Sequence, residues 1–332
     1  MPHTESDFEE VTIQRLEALG YTHRPGGTLA RADERQVVFP EVLAGHLARR
    51  YPQVPEATRA EAVRRFTRPE GVDLLRRNMD YHLRLVRGAE FAVERADGTK
   101  EHVHLHAVDW EQPEANTFEV VNQLSIHGQN DRRPDIMVYV NGMPLVLFEL
   151  KSPWSEYADV AGALNQIGHY THDIPQVFEM NALCVVSDGL NTLHGMWPAG
   201  LEWYAPWKSI DGTKVEPGTT GSMKSLIEGL FPKERLLSYV RDFVLYENAH
   251  EKITKKGAKY HQFFAVRIAA EKAVDAMRDD RPDKRLGVIW HTTGSGKSLS
   301  MAFLAGMLRR RRGNRQHHRP GKLHFLTRSP GA

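Results

Sequence analysis

The chain has 332 residues, long enough for two domains with cores of their own. Its 44 Lys and Arg against 42 Asp and Glu leave a formal charge of +2, so any field for nucleic acid must be local. One cysteine, Cys184, excludes an intrachain disulfide framework, and the absence of a long apolar run or a secretory opening predicts a soluble, cytoplasmic protein with no membrane partner.

Residues 6–19 read as an amphipathic helix: Ser6 with Glu9 forms a capping-box pattern, and Phe8, Val11, Leu16 and Leu19 recur on one side. From Gln36 to Glu90 the pattern is helical and arginine-rich, with pairs such as Arg49-Arg50, Arg64-Arg65 and Arg76-Arg77 that suit solvated faces better than phosphate contacts. His102, His104 and His106 alternate within the strand-like stretch Glu101–Trp110. They share a face but lack a fourth zinc ligand at helpful spacing. Phe118–Ser125 predicts a strand leading into the polar loop His127–Arg133.

The chain is organised around RPDIMVYVNGMPLVLFELKSP, Arg133 to Pro153. Two apolar runs flank Asn141-Gly142, a strong hairpin signal. Asp135 opens the first run, and Glu149 and Lys151 close the second on one strand face. A plain two-residue turn pairs Asp135 with Phe148 and sends Glu149 to the other face. Pairing Asp135 with Glu149 needs a three-residue loop, which sets Val140 against Pro144, or a bulge, and one of these is expected. Two carboxylates offer hard oxygen ligands to Mg²⁺, which can activate water for phosphodiester hydrolysis, and Lys151 would orient that water or neutralise developing charge. A metal-free route, with one carboxylate as general base, is the alternative. Solvated charges at the end of an ordinary hairpin are the bland account.

Pro134-Asp135 with Glu149-Leu150-Lys151 resembles the signature of PD-(D/E)xK nucleases. The resemblance implies that these three residues carry the metal and the chemistry. It also implies an acidic residue from an early helix near the metal, for which Glu9 is the candidate. Asp159–Thr171 suits a helix that sets Gln166 and Tyr170 on one face. As QIGHY they resemble the Gln-x-x-x-Tyr motif of RecB-type nucleases and type I restriction subunits, which implies supporting contacts at the cleavage site.

Leu183–Ser187 predicts a short buried strand, with Trp197, Trp203 and Trp207 as packing residues around it. Asp211–Gly221 is dense in Gly, Thr, Pro and Lys and predicts a linker or long loop. LLSYVRDFVLYE reads as an amphipathic helix, EKITKKGAKY as a charged turn, and His261–Met277 as a further helix. A buried strand at Leu286–Trp290 then runs into HTTGSGKS, and Leu299–Leu308 continues as a helix.

A strand–loop–helix context of this kind is what a phosphate-binding loop requires. Thr293, Gly294, Ser295 and Gly296 would wrap ATP phosphates, Lys297 would reach the terminal ones, and Ser298 would ligate Mg²⁺. His291 stands where the strict pattern has Gly. Superfamily 2 helicases and translocases often tolerate that departure. They also place a glutamine upstream to pair with adenine, and here Gln262 is the candidate.

Taken in order, SDFEEVTIQRLEALGY, the hairpin, QIGHY, LLSYVRDFVLYE, YHQ and IWHTTGSGKS resemble the N-terminal part of the restriction subunit of type I restriction-modification enzymes. The resemblance implies an α/β fold: a PD-(D/E)xK nuclease domain, 1–208, with a central mixed sheet flanked by helices, a linker, 209–235, and the beginning of a RecA-like motor lobe, 236–332. It implies a Mg²⁺-dependent double-stranded DNA endonuclease coupled to an ATP-driven translocase, with modification (methyltransferase) and specificity subunits as partners. The final LTRSPGA departs from the family's next motif, so a truncated motor unable to turn over ATP alone is expected. The alternatives are a RecB-like repair nuclease or helicase, and an inactive DNA-binding and docking module.

Overall fold

The computed structural model describes residues 4–94, 98–151, 159–217, 222–249, 252–278, 294 and 296–313. The fold is α/β, with a mixed central sheet and helices packed against it. The first helix, α1 (Glu5–Glu17), starts at Thr4 rather than at Ser6. Thr4 has the extended backbone of an N-cap; its hydroxyl accepts the Asp7 N–H, and the Asp7 carboxylate accepts the Thr4 N–H. Such a cap is worth about 1 kcal/mol. Phe8, Glu9, Thr12, Ile13 and Leu16 form the buried face.

After β1 (Thr22–Pro25) come the arginine-rich helices α2 (Pro40–Arg50), α3 (Glu56–Thr67) and α4 (Leu74–Arg87). Several of their arginines are held by acids of this chain, Arg50 by Asp109 and Arg77 by Glu179. Strands β2 (Ala89–Glu94) and β3 (Lys100–Leu105) form a separate hairpin in which His102 pairs with Glu90 and His104 bonds the Arg87 carbonyl. His102 and His104 therefore have protein partners.

The main sheet adds β4 (Phe118–Asn122), β5 (Ile136–Val140) and β6 (Met143–Leu150). After α5 (Val160–Asp173), capped by Asp159, come β7 (Leu183–Ser187), β8 (Thr192–Gly195) and β9 (Ala205–Pro206). The strand order is β1-β4-β5-β6-β7-β8-β9. Strands β1 with β4 and β6 with β7 run parallel, and the other neighbours antiparallel. Every residue of β5, β6 and β7 is buried, so the sheet centre is covered on both faces, and the runs lack polar alternation for that reason.

The hairpin turn is Asn141-Gly142, with φ of 51° and 78°, and it sets Val140 against Met143 rather than Pro144. The register then shifts: Tyr139 faces Pro144, whereas Val138 faces Val146, which leaves Leu145 as the extra residue of a bulge. Gly142 is required twice, by its left-handed backbone and because a Cβ there would run into the Phe39 carbonyl. Asn141 is fully buried, and its amide bonds the Ala107 carbonyl, Asn116 and the Thr117 N–H, each at 2.8 Å.

The stretch expected as a linker, 209–235, is not loop throughout. Ser222 caps α6 (Met223–Leu230), whose Leu226, Ile227 and Leu230 are buried, and α7 (Lys233–Asp242) follows at once. Helical spacing of those apolar residues was the overlooked signal. Nor is LLSYVRDFVLYE one helix. It ends at Asp242, and β10 (Val244–Ala249) pairs with β11 (Lys252–Gly257), which takes up most of the expected charged turn. The β-branched and aromatic Val244–Tyr246 favour a ladder over another helical turn. Then come α8 (Tyr260–Arg278) and α9 (Lys297–Gly313); the strand expected at Leu286–Trp290 lies outside the described residues. No described helix is long and apolar enough to cross a membrane.

An aromatic cluster joins these later elements to the sheet. Trp207 is fully buried, with the His194 and Phe263 ring centres 5.3 Å away, and Phe263 lies 4.7 Å from Phe243. Trp197 is also buried, whereas Trp203 is 65% exposed and so is no packing residue. Cys184 is a buried core thiol.

Lys255 of β11 is buried, with Nζ donating to the Asn181 carbonyl, and burial pushes its pKa down to about 7. Its folded pKa therefore lies below the unfolded one. Between the two the unfolded chain binds more protons, and stability rises with pH. Lys255→Met is expected to raise the melting temperature most at pH 6–7 and progressively less towards pH 10, as thermal scans across pH would show.

Candidate functional site

The bulge has a chemical consequence. Ile136 faces Phe148 as the last pair of the ladder, so Asp135, in the bend just before β5, comes beside Glu149 at the mouth of the hairpin. Both are buried, Asp135 at 7% and Glu149 at 1% exposure. Asp135 Oδ2 accepts the Leu150 N–H at 2.7 Å, which ties the acid of β5 to the backbone of β6. Lys151 Nζ lies 2.8 Å from Glu149 Oε1, and the Lys151 N–H donates to the Ser187 carbonyl, extending the parallel ladder beyond β6. Burying these acids is costly unless each is paired and hydrogen-bonded.

Helix α5, packed on β6 and β7, brings Gln166 and Tyr170 to the same place. Tyr170 is buried beside Glu149 and Gln166. Burial first, and then the nearby Glu149 and Asp135 charges, push its pKa well above the ordinary tyrosine value. Tyr170 therefore stays protonated beside Glu149 and does not act as a base.

Glu9 reaches the site from α1. Its two oxygens accept the side-chain amides of Asn122 and Gln123, each at 2.6 Å, and Gln123 Nε2 also lies 3.4 Å from Asp135 Oδ1. Sequence reasoning missed both amides. Their signal was two polar residues at the end of a buried strand, FEVVNQ.

The donor set suits Mg²⁺, which binds hard oxygens through one or two carboxylates while keeping several waters. No described group of three or more His, Cys, Asp or Glu is arranged to hold a metal; Asp135 and Glu149 supply two carboxylates at the hairpin mouth, and the Glu9 carboxylate accepts the two amides.

At the other candidate site, Gly294 and Gly296 have φ of 80° and 84°, and Lys297 and Ser298 open α9. The glycines can thus turn backbone N–H groups towards one point at a helix start. Thr293 and Ser295 lie outside the described residues. Gln262, buried in α8, donates from Nε2 to the Gly296 carbonyl at 3.1 Å and accepts the Lys259 N–H at 2.8 Å. In this state its amide is engaged with the loop backbone.

Residues 2–203 match the family described as type I restriction enzyme R protein N terminus. The chain belongs to that family. Residues 261–319 match a second family, the SWI2/SNF2 ATPases. The HindI type I restriction enzyme endonuclease subunit of Haemophilus influenzae is 37% identical over 316 residues, which is 92% of this chain and 30% of that protein. The MjaIXP endonuclease subunit of Methanocaldococcus jannaschii is 28% identical, over 90% of this chain and 30% of its own length. The chain thus spans less than a third of the length of these relatives.

In this R-protein N terminus the Lys151 ammonium offsets a buried carboxylate. Lys151→Met is expected to cost on the order of 2 kcal/mol of stability, because it strands the Glu149 charge, and adding Glu149→Gln should recover most of the loss. Urea unfolding of the two single variants and the double variant measures this coupling.

Proposed function

We propose that this chain carries the DNA-cutting domain of a type I restriction subunit, in the PD-(D/E)xK manner, together with the beginning of a RecA-like, ATP-driven translocase. The nuclease domain is assigned to residues 1–208 and the motor portion to 236–332. Its substrate would be double-stranded DNA in the cytoplasm, and its partners the modification and specificity subunits. The observation that carries the proposal is the meeting of Asp135, tied to the Leu150 N–H, with Glu149 and its Lys151 partner at the open end of the hairpin.

Each side chain then has a task. Asp135 and Glu149 would hold Mg²⁺ at the end of β5 and β6. When bound, the ion supplies a polarised water and neutralises charge on the scissile phosphate. Lys151, its side chain 27% exposed, pairs with Glu149 and can turn to the attacking water or the phosphate. Tyr170 and Gln166 orient the Glu149 carboxylate. The acids are buried and hydrogen-bonded beforehand, so little reorganisation is needed when the phosphate arrives.

For the second site, Gly294 to Ser298 would bind the phosphates of ATP, with Lys297 on the terminal ones and Ser298 on Mg²⁺. Gln262 would exchange its bond to Gly296 for the adenine edge. The order of Gln262 before the glycine loop, within the stretch that matches SWI2/SNF2 ATPases, supports this assignment.

Two measurements test the proposal. Plasmid cleavage in Mg²⁺, with the partner subunits present, is expected to fall at least about 100-fold in Asp135→Asn, Glu149→Gln and Lys151→Gln; undiminished cutting would make the hairpin purely structural. Equilibrium binding of fluorescent ATP should weaken by about 10-fold or more in Lys297→Ala, and an unchanged affinity would remove the nucleotide from this loop.

A further inference from the structure

Gln123 has a left-handed backbone, φ 51°, which is uncommon for a side-chain-bearing residue. Three contacts hold it there. Its N–H donates to the Asp135 carbonyl at 3.0 Å, its Nε2 donates to Glu9 Oε2 at 2.6 Å, and the same nitrogen lies 3.4 Å from Asp135 Oδ1. The turn is braced from outside by Gly26, where any Cβ would collide with the backbone of Asn122 and Leu124. Asn122, just before it, holds the other oxygen of Glu9 and is itself bonded to His23.

The arrangement is directional. The Glu9 carboxylate accepts from Asn122 and Gln123 through both oxygens, so it grips the amide of Gln123 and fixes the direction of its second N–H. That N–H points towards Asp135 Oδ1, while Asp135 Oδ2 accepts from the Leu150 backbone. Asp135 is thus oriented from both sides, by a backbone amide of β6 and by a side-chain amide that a second acid holds.

We infer that Gln123 is a positioning residue for the cleavage site, aligning the Asp135 carboxylate, and that Glu9 acts through Gln123 rather than on the metal. The inference rests on the proposed Mg²⁺-dependent nuclease. Hydrogen-bond partners of a ligating carboxylate typically set metal affinity within about 10- to 100-fold. Gln123 therefore controls how tightly the Asp135 side of the site closes on a cation, without touching it.

The test is Mn²⁺ binding to the full chain, followed by titration calorimetry or by the loss of free-ion resonance signal, with no cleavage needed. Gln123→Asn is the informative variant, because asparagine tolerates the left-handed backbone but is one methylene too short to span Glu9 and Asp135. It should keep the parent melting temperature within a few degrees and weaken Mn²⁺ by about 10-fold. Glu9→Gln should weaken it by a similar factor, whereas Asn122→Ala, which leaves Gln123 in place, should change it less than about 3-fold. Parent-like affinity in Gln123→Asn would overturn the inference while leaving the nuclease proposal standing. Loss in Asn122→Ala as large as in Gln123→Asn would mean that Glu9 acts directly, and would overturn it too. A parent chain that binds no Mn²⁺, even at millimolar concentration, would overturn both.

Discussion

The register of the β5–β6 hairpin is the constraint on which the rest of the site depends. Side chains on a strand alternate with a period of two, so a slip of one residue would send Glu149 and Lys151 to the face opposite Asp135. A tight Asn141-Gly142 turn alone would produce that slip. The bulge at Leu145 restores the needed pairing, and the turn is pinned by Gly142 under the Phe39 carbonyl and by the buried amide of Asn141. Contacts at the closed end of the hairpin thereby decide which acids meet at its open end.

Once together, the acids need polar partners in a buried setting. No single partner serves them all. Lys151 serves one oxygen of Glu149, and Tyr170, held protonated by burial, lies beside the same carboxylate from α5. Asp135 takes a backbone amide from β6, and Glu9 accepts the side-chain amides of Asn122 and Gln123.

The elements after Gly221 are not hung on a loose tether. Trp207, next to β9, packs on Phe263 of α8 and Tyr239 of α7, and the Tyr239 hydroxyl bonds the Ala258 carbonyl, which His194 of β8 also reaches. Arg310 of α9 meets the buried Asp242 at the end of α7. Gln262 lies on the helix that begins just beyond this aromatic core and touches Gly296, so the glycine loop is connected to the sheet through packed side chains.

Much of this was written into local sequence. The apolar runs around Asn141-Gly142, the acids at their ends, the helical spacing of Gln166 and Tyr170, and the glycine loop ahead of a helix are all short-range patterns. Short-range patterns follow from backbone geometry that any chain must obey. Three things were not local. The choice of bulge over longer loop came from Phe39, Ala107 and Asn116, all distant in sequence. The break at Asp242 came from the pairing of β10 with β11, which outweighed a helical pattern in LLSYVRDFVLYE. The roles of Asn122 and Gln123 came from α1 laying Glu9 beside them, and an amide acquires a direction only from what it bonds. Residue types and spacings thus determined which chemistry this chain can carry; tertiary packing decided which of those groups face one another, because register, strand pairing and amide orientation are properties of two segments and never of one.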